Sequence, residues 1–402
     1  MSTTALPAPS KTRLGWLFQP VSDRGHKEAM VLSVYRDHGV VPKDSRTDNF
    51  NRTPENLSNY QLVQPGDLVV NRMKAWQGSL GISEHQGIVS PDYEVLRPTV
   101  PNYDRRFLHS LLRSRALIDQ YALRSTGIRP SQWRLYWDEM KTIEISLPTA
   151  EQQRAIADYL DRETARIDTL IEEQQRLIEM LGERRQAVID ESFSTLGEPS
   201  VQLRRHIDFL TSGSRGWGDY YADQGERFLR IGNLPRANLK IRGDIQFVDL
   251  PSNVTEGSRT MLQEGDLLFS ITAYLGSVAV VEGDWVGAYV SQHVALCRLE
   301  RDQVDPRFIG WFMLTTTGQD QLNEGAAGGT KMQLALDDIR GLRVPTAPIE
   351  QQRGMVAHLD RQTTQIDALV AETERFIDYA RERRAALITA AVTGEIDVRE
   401  MA

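Results

Sequence analysis

Two long stretches of the chain place apolar residues at a seven-residue period. In 151–192, Leu160, Ile167, Gln174, Leu181 and Val188 form one column, and Leu170, Ile171, Leu177 and Ile178 fill companion positions. In 350–389 the column is Leu359, Ile366, Thr373, Ala380 and Leu387, with Leu369, Val370, Phe376 and Ile377 beside it. Proline is absent from both, and Glu, Gln, Arg, Leu, Ile and Ala dominate. That combination predicts two helices, each built to pack along a coiled-coil seam. The polar residues at the matching mid-helix positions, Gln174 and Thr373, suit pairing of the two helices with each other in one register. At 1.5 Å per residue about 40 residues give a rod of roughly 60 Å, which is the form of a spacer.

The rest of the chain has a shorter rhythm. Leu62-Val63, Leu68-Val69-Val70, Gly81-Ile82 and Gly87-Ile88-Val89 alternate with turn residues such as Pro65-Gly66-Asp67, and Leu267-Leu268-Phe269, Val278-Ala279-Val280-Val281 and Val294-Ala295-Leu296 repeat that texture. These predict short strands and tight turns. Helical patches follow at 105–123 and 307–322, so each variable part reads as a compact α+β domain.

Laid on itself, the sequence is a duplication. Glu151-Gln152-Gln153-Arg154 recurs as Glu350-Gln351-Gln352-Arg353, and the same offset places Leu160-Asp161-Arg162 on Leu359-Asp360-Arg361, Ile167-Asp168 on Ile366-Asp367 and Glu183-Arg184-Arg185 on Glu382-Arg383-Arg384. Without a gap, 19 of 40 positions are identical, where unrelated sequence gives roughly three. Upstream, Gly66-Asp67-Leu68 falls on Gly265-Asp266-Leu267, and little else matches. The predicted organisation is a first head at 1–146, a helix at 147–195, a second head at 196–346, and a helix with a tail at 347–402.

Composition sharpens this. The 402 residues carry 47 Lys plus Arg against 55 Asp plus Glu, a net −8. The segment 151–195 contributes −5 and 350–402 contributes −3, so the acidic excess sits on the helices and leaves the heads neutral, free to present a local basic face. Cys297 is the only cysteine, which excludes an intramolecular disulfide and a cysteine-rich zinc module. The opening 13 residues lack the apolar core of a signal peptide and no run of about 18 apolar residues occurs, so a cytoplasmic protein is expected.

Each head ends in a polar, glycine-bearing loop before its helix, 124–132 in the first and 325–333 in the second. Arg and Lys there suit phosphates or guanine edges and Gln suits adenine, although such loops serve equally as plain exposed turns.

Glu-Gln-Gln-Arg after the proline-bearing strand ends Leu147-Pro148 and Val344-Pro345, leading into a long helix, resembles the conserved regions of the specificity subunit of type I restriction-modification enzymes. Gly66-Asp67-Leu68-Val69-Val70-Asn71-Arg72-Met73 and Gly87-Ile88-Val89-Ser90-Pro91 are similar to strands of that family's target-recognition domains. The resemblance implies an α+β fold of two target-recognition domains separated by two long antiparallel coiled-coil helices in a pseudo-twofold arrangement. It implies that each domain reads half of a bipartite DNA target. The helices would dock two adenine methyltransferase subunits, and ATP-dependent restriction and translocase subunits would join them. S-adenosylmethionine, ATP and Mg2+ would then reside on partners and none on this chain. The candidate DNA contacts are Arg72, Lys74, Arg129, Ser131, Gln132, Arg134, Thr330, Lys331 and Gln333. The candidate seam and partner positions are Leu160, Ile167, Leu170, Leu177, Leu359, Ile366, Leu369 and Phe376.

No methyltransferase motif and no phosphate loop is present, and the histidines lack metal-ligand spacing. Two rival readings remain at this level. One is a metal-dependent nuclease using Glu139, Lys141 and Asp92, and the other is a two-headed protein scaffold. Trp76 and Trp217, in glycine-flanked polar segments, are the tryptophans that could face DNA.

Overall fold

The computed structural model describes residues 10–36, 38–45, 53–251, 256–273, 275–324 and 333–398. In chain order, the elements that position the site are β1 (Phe18–Pro20), β2 (Leu68–Asn71), β3 (Leu80–Ile82), β4 (Tyr93–Pro98), α1 (Arg105–Leu112), α2 (Arg115–Arg124) and the long helix α3 (Ala150–Ser194). The second series is β5 (Ile207–Ser212), β6 (Leu267–Ser270), β7 (Val278–Val280), β8 (Val294–Leu299), α4 (Pro306–Met313), α5 (Thr316–Glu324) and the long helix α6 (Ile349–Thr393). The chain divides into two compact units, 1–175 with 374–402, and 176–373, so the division passes through both long helices.

In the first unit an antiparallel sheet runs β1-β4-β2-β3. Side chains alternate across it, as a strand requires. Leu68, Val70, Leu80 and Leu96 face Phe107, Leu108, Leu112 and Tyr121 of the helices, whereas Val69 and Val95 face Leu32, Val34, Val40 and Val89 of two smaller strand pairs. Both faces are therefore covered, which explains why these strands read as continuous apolar runs. The strand Ser10–Arg13 pairs antiparallel with Glu144–Leu147 and closes the head just before α3.

The second unit repeats the plan. Its sheet runs β5-β8-β6-β7, Leu267 and Phe269 face the core under α4, and Leu268 faces a separate cluster with Leu229, Val290 and Leu296. Val201–Gln202 pairs with Arg343–Val344 just before α6.

The repeated Gly-Asp-Leu begins the central strand of each sheet. Gly66 and Gly265 take φ values of +101° and +76°, which glycine adopts freely. The following aspartate then turns inward. Asp67 accepts the Gln64 N–H and two bonds from Arg97; Asp266 accepts the Gln263 N–H and two bonds from Arg298.

Within each unit, the start of one long helix packs with the end of the other. Ile156, Ala157 and Leu160 of α3 share the first unit's core with Ala391 and Val392 of α6, and Ile189 and Phe193 of α3 share the second unit's core with Val356 and Leu359 of α6. The pairing is antiparallel in both. Arg384 Nε lies 2.9 Å from Asp168 in the first unit, and Arg185 Nε lies 3.1 Å from Asp367 in the second, the same ion pair made twice by the duplication.

The companion column differs from the expectation in one respect. Leu160, Ile167, Leu359 and Ile366 are buried, while Leu170, Leu369 and Phe376 are exposed and Leu177 is half-buried. The seam continues instead through Ala157, three residues before Leu160, and through Thr363 and Ile377, each four residues beyond a main-column position. A residue three beyond points about one residue's turn away from it, because seven residues in two turns alternate steps of three and four. Thr363 and Thr373 enter the seam because their hydroxyls donate back to the Leu359 and Leu369 carbonyls, which leaves only methyl groups to pack.

Candidate nucleic-acid interface

In the first unit three segments converge at the end of β2. The Leu135 N–H donates to the Arg72 carbonyl at 2.9 Å, which anchors the loop that leads back to α3. That loop is a closed structure: Thr126 and Arg134 exchange both backbone hydrogen bonds, and a Cβ on Gly127 would meet the Gln132 carbonyl at 2.7 Å. Trp133 then lies edge-on to Trp76, with ring centres 5.4 Å apart. The candidates Arg72, Lys74, Arg129, Gln132 and Arg134 therefore belong to one surface. The Ser131 side chain lies outside the described residues.

Their roles differ. Arg72 is half-buried and donates to the Asp92 and Pro91 carbonyls, with Glu94 3.7 Å away. Burial pushes the Glu94 carboxyl upward against the pull of that guanidinium. Arg72 thus ties the turn before β4 to β2, whereas Lys74, Arg129 and Gln132 are exposed. Beside them opens a cleft of about 960 Å³ whose lining includes Lys43, Asn59, Lys74, Gln77, Asp92 and Tyr93. At the loop tip Ile128 is 95% exposed, an apolar group held in water.

The second unit builds the same place from other residues. The Leu334 N–H donates to the Ile271 carbonyl, and the Ile271 N–H donates to the His293 carbonyl. Gln333 bridges to Thr272. Thr272 Oγ1 lies 2.9 Å from His293 Nδ1, and Gln292 Nε2 lies 3.2 Å from His293 Nε2. Ala273 takes a φ of +49°, the left-handed region that costs a non-glycine residue about 1 kcal/mol. Of the candidates here, Gln333 is exposed, and Thr330 and Lys331 lie outside the described residues.

Thr272, Gln292 and His293 escaped the sequence reading of the site, although Ser270-Ile271-Thr272 falls where the first copy has Asn71-Arg72-Met73. Trp217 is a correction. It is buried, stacked on Phe228 at 5.6 Å and edge-on to Tyr289 at 5.2 Å, because its neighbour Gly216 folds the segment inward at a φ of +73°. The Lys141 ammonium of the rival nuclease triplet is held by Asp138 at 2.6 Å.

Residues 236–374 match the family described as the type I restriction modification DNA specificity domain. The EcoKI specificity subunit of Escherichia coli K12 is 22% identical over 432 residues, covering 95% of this chain and 89% of that protein. The chain is thus similar to type I specificity subunits along nearly its whole length, and its 236–374 segment matches their DNA specificity domain. The StySPI specificity subunit of Salmonella potsdam is likewise 22% identical, with the same coverage. A chain from work on complex assembly and conformational transition of the type I R-M system superposes with a TM-score of 0.74 at 17% identity, over 98% of this chain and all of that one. The HsdS subunit of Thermoanaerobacter tengcongensis superposes with a TM-score of 0.55 at 18% identity, over 98% of this chain and 99% of that one. Specificity subunits are the noncatalytic, DNA-specifying components of the type I complex, so the nuclease reading is set aside. Among the described residues, no helix is long and apolar enough to cross a membrane.

Proposed function

We propose that the two heads, 1–146 and 196–346, each read one part of a split DNA target and that the surfaces just described are the readers. The observation that carries this reading is a shared scaffold with different displays. At one structural position the first head presents Lys74, Arg129, Gln132 and Arg134, and the second presents Thr272, Gln292, His293 and Gln333. Lysine and arginine suit phosphates and guanine, glutamine suits adenine, and the apolar tip of Ile128 suits a thymine methyl group. Two such readers would sample two short sequences and sense the unread bases between them through length and bendability.

The two long helices are read as the docking site for two copies of an adenine methyltransferase subunit, which brings S-adenosylmethionine. Restriction subunits that use ATP and Mg2+ join in the full enzyme. The exposure of Leu170 and Leu369, an apolar pair repeated by the duplication, supports that reading. The test is modular. Replacing 1–146 with the corresponding head of a relative alters one half of the methylated sequence and leaves the other; a change in both halves, or in neither, refutes two-head reading. Leu170→Glu with Leu369→Glu weakens methyltransferase assembly while the melting temperature holds. Full assembly in that variant refutes helix docking.

A further inference from the structure

The residues that repeat most faithfully lie away from the proposed readers, and in each unit they fasten the head to the base of the helix that follows it. In the first unit the buried Gln153 side chain accepts the Asp104 N–H at 2.9 Å and donates to the Pro148 carbonyl at 2.9 Å. Asp104 caps α1 through the Arg106 and Phe107 N–H groups. The Arg106 guanidinium, on that same helix, reaches Asp158 and Asp161 of α3 at 2.9 and 2.6 Å.

In the second unit Gln352 accepts the Asp305 N–H at 2.9 Å and donates to the Ala347 carbonyl at 2.8 Å. Arg307 reaches Asp360 at 2.8 Å, and Trp311 donates to that carboxylate at 3.1 Å. A cap, a buried amide and a cross-element arginine thus recur in one arrangement, joining the first helix of each head to the base of the long helix on which that head's apolar core already packs.

We infer that Arg106 and Arg307, seated by Gln153 and Gln352, are positioning residues that fix each head's angle on its helix and thereby set the spacer length the protein accepts. The inference rests on the split-target reading. One added base pair moves the second half-site by about 3.4 Å along the duplex and turns it by about 35°. A head that pivots can follow that change, and a clamped head cannot. The arginine pairs are partly exposed, so their loss leaves the fold standing while freeing the angle.

The experiment uses the full chain assembled with its methyltransferase partner. Methylation rates are compared on duplexes carrying both native half-sites with the native spacer, and with spacers one base pair longer and shorter. Arg106→Gln with Arg307→Gln keeps its melting temperature and its discrimination against single substitutions within each half-site. Its preference for the native spacer falls about tenfold, the equivalent of about 1.4 kcal/mol. Arg106→Lys with Arg307→Lys, which retains the charge, restores most of the preference. An unchanged preference in the folded glutamine variant overturns the clamp, as does an equal loss of half-site discrimination. If the parent complex methylates all spacers alike, the split-target reading fails and this inference falls with it.

Discussion

Asp266→Ala isolates the turn that launches the central strand of the second head. The carboxylate is fully buried and accepts the Gln263 N–H at 2.7 Å and both Arg298 donors at 2.8 Å. Arg298 is 21% exposed and lies over the Phe209 ring at 5.6 Å, so it cannot swing wholly into water when its partner goes. Cutting a buried pair on one side costs about 3–5 kcal/mol, because the remaining charge is stranded. The orphaned N–H overlaps with that loss, so the expected destabilisation of the second unit is about 4 kcal/mol. Asp67→Ala tests the same construction in the first unit. There Arg97 is 32% exposed and water replaces more of what is lost, so the expected cost is smaller, about 2–3 kcal/mol. Urea unfolding combined with hydrogen exchange on β2–β4 and β6–β8 peptides resolves the two units. Equal costs, or a larger one for Asp67→Ala, refute the argument that burial of the arginine decides the magnitude. Asp266→Leu with Arg298→Met removes both charges and recovers most of the stability if stranding is the cause.

Other consequences follow from named contacts. His109 accepts a bond from Arg113 at 2.7 Å, and burial, reinforced by that guanidinium, lowers its pKa from 6.5 to about 4. A neutral imidazole in the fold means that its stabilisation is complete above about pH 6.5 and is lost as pH falls towards 4, by about 3 kcal/mol in all. His109→Gln flattens the fall in urea stability between pH 7 and pH 5; an unchanged slope counts against the assignment. Leu359→Ala, at a fully buried seam position, costs about 2–5 kcal/mol, whereas Leu369→Ala costs less than about 1. Equal melting shifts would restore Leu369 to the seam. Gly182→Ala adds a methyl group within α3 with no atom within 4 Å of its Cβ and raises stability by about 0.5–1 kcal/mol, read from the urea midpoint.

The helices were legible in the sequence because a seven-residue period over 40 positions survives local exceptions. Their companion column was harder to read. Leu170 and Ile171, or Phe376 and Ile377, are adjacent apolar residues, and hydropathy alone does not say which of two neighbours turns inward. Identity between the copies carried information that hydropathy lacked, since Asp168 with Arg184-Arg185 and Asp367 with Arg383-Arg384 were visible repeats before they became ion pairs. The candidate interface was legible only as a location. Arg72 stood out as a basic residue in a strand-end motif, yet its guanidinium is spent on the Pro91 and Asp92 carbonyls. His293, surrounded by no suggestive spacing, is brought to Thr272 by the pairing of β6 with β8, a contact that no local pattern encodes.

The duplication separates what holds the molecule from what it presents. Gly66 and Gly265, Asp67 and Asp266, Gln153 and Gln352, and Asp161 and Asp360 are identical pairs, and each makes a turn, a buried pair or a bridge that another residue type would break. Arg72 and Ile271 are unlike as side chains, but each offers the same carbonyl to the loop returning to its helix. Because backbone atoms fasten that loop, its exposed side chains, such as Arg129 and Gln132 in the first head, can change without loosening the head. A protein whose targets must vary while its assembly stays fixed requires that division. Under the split-target proposal, specificity falls in the positions where the two copies disagree, and spacing in the positions where they agree.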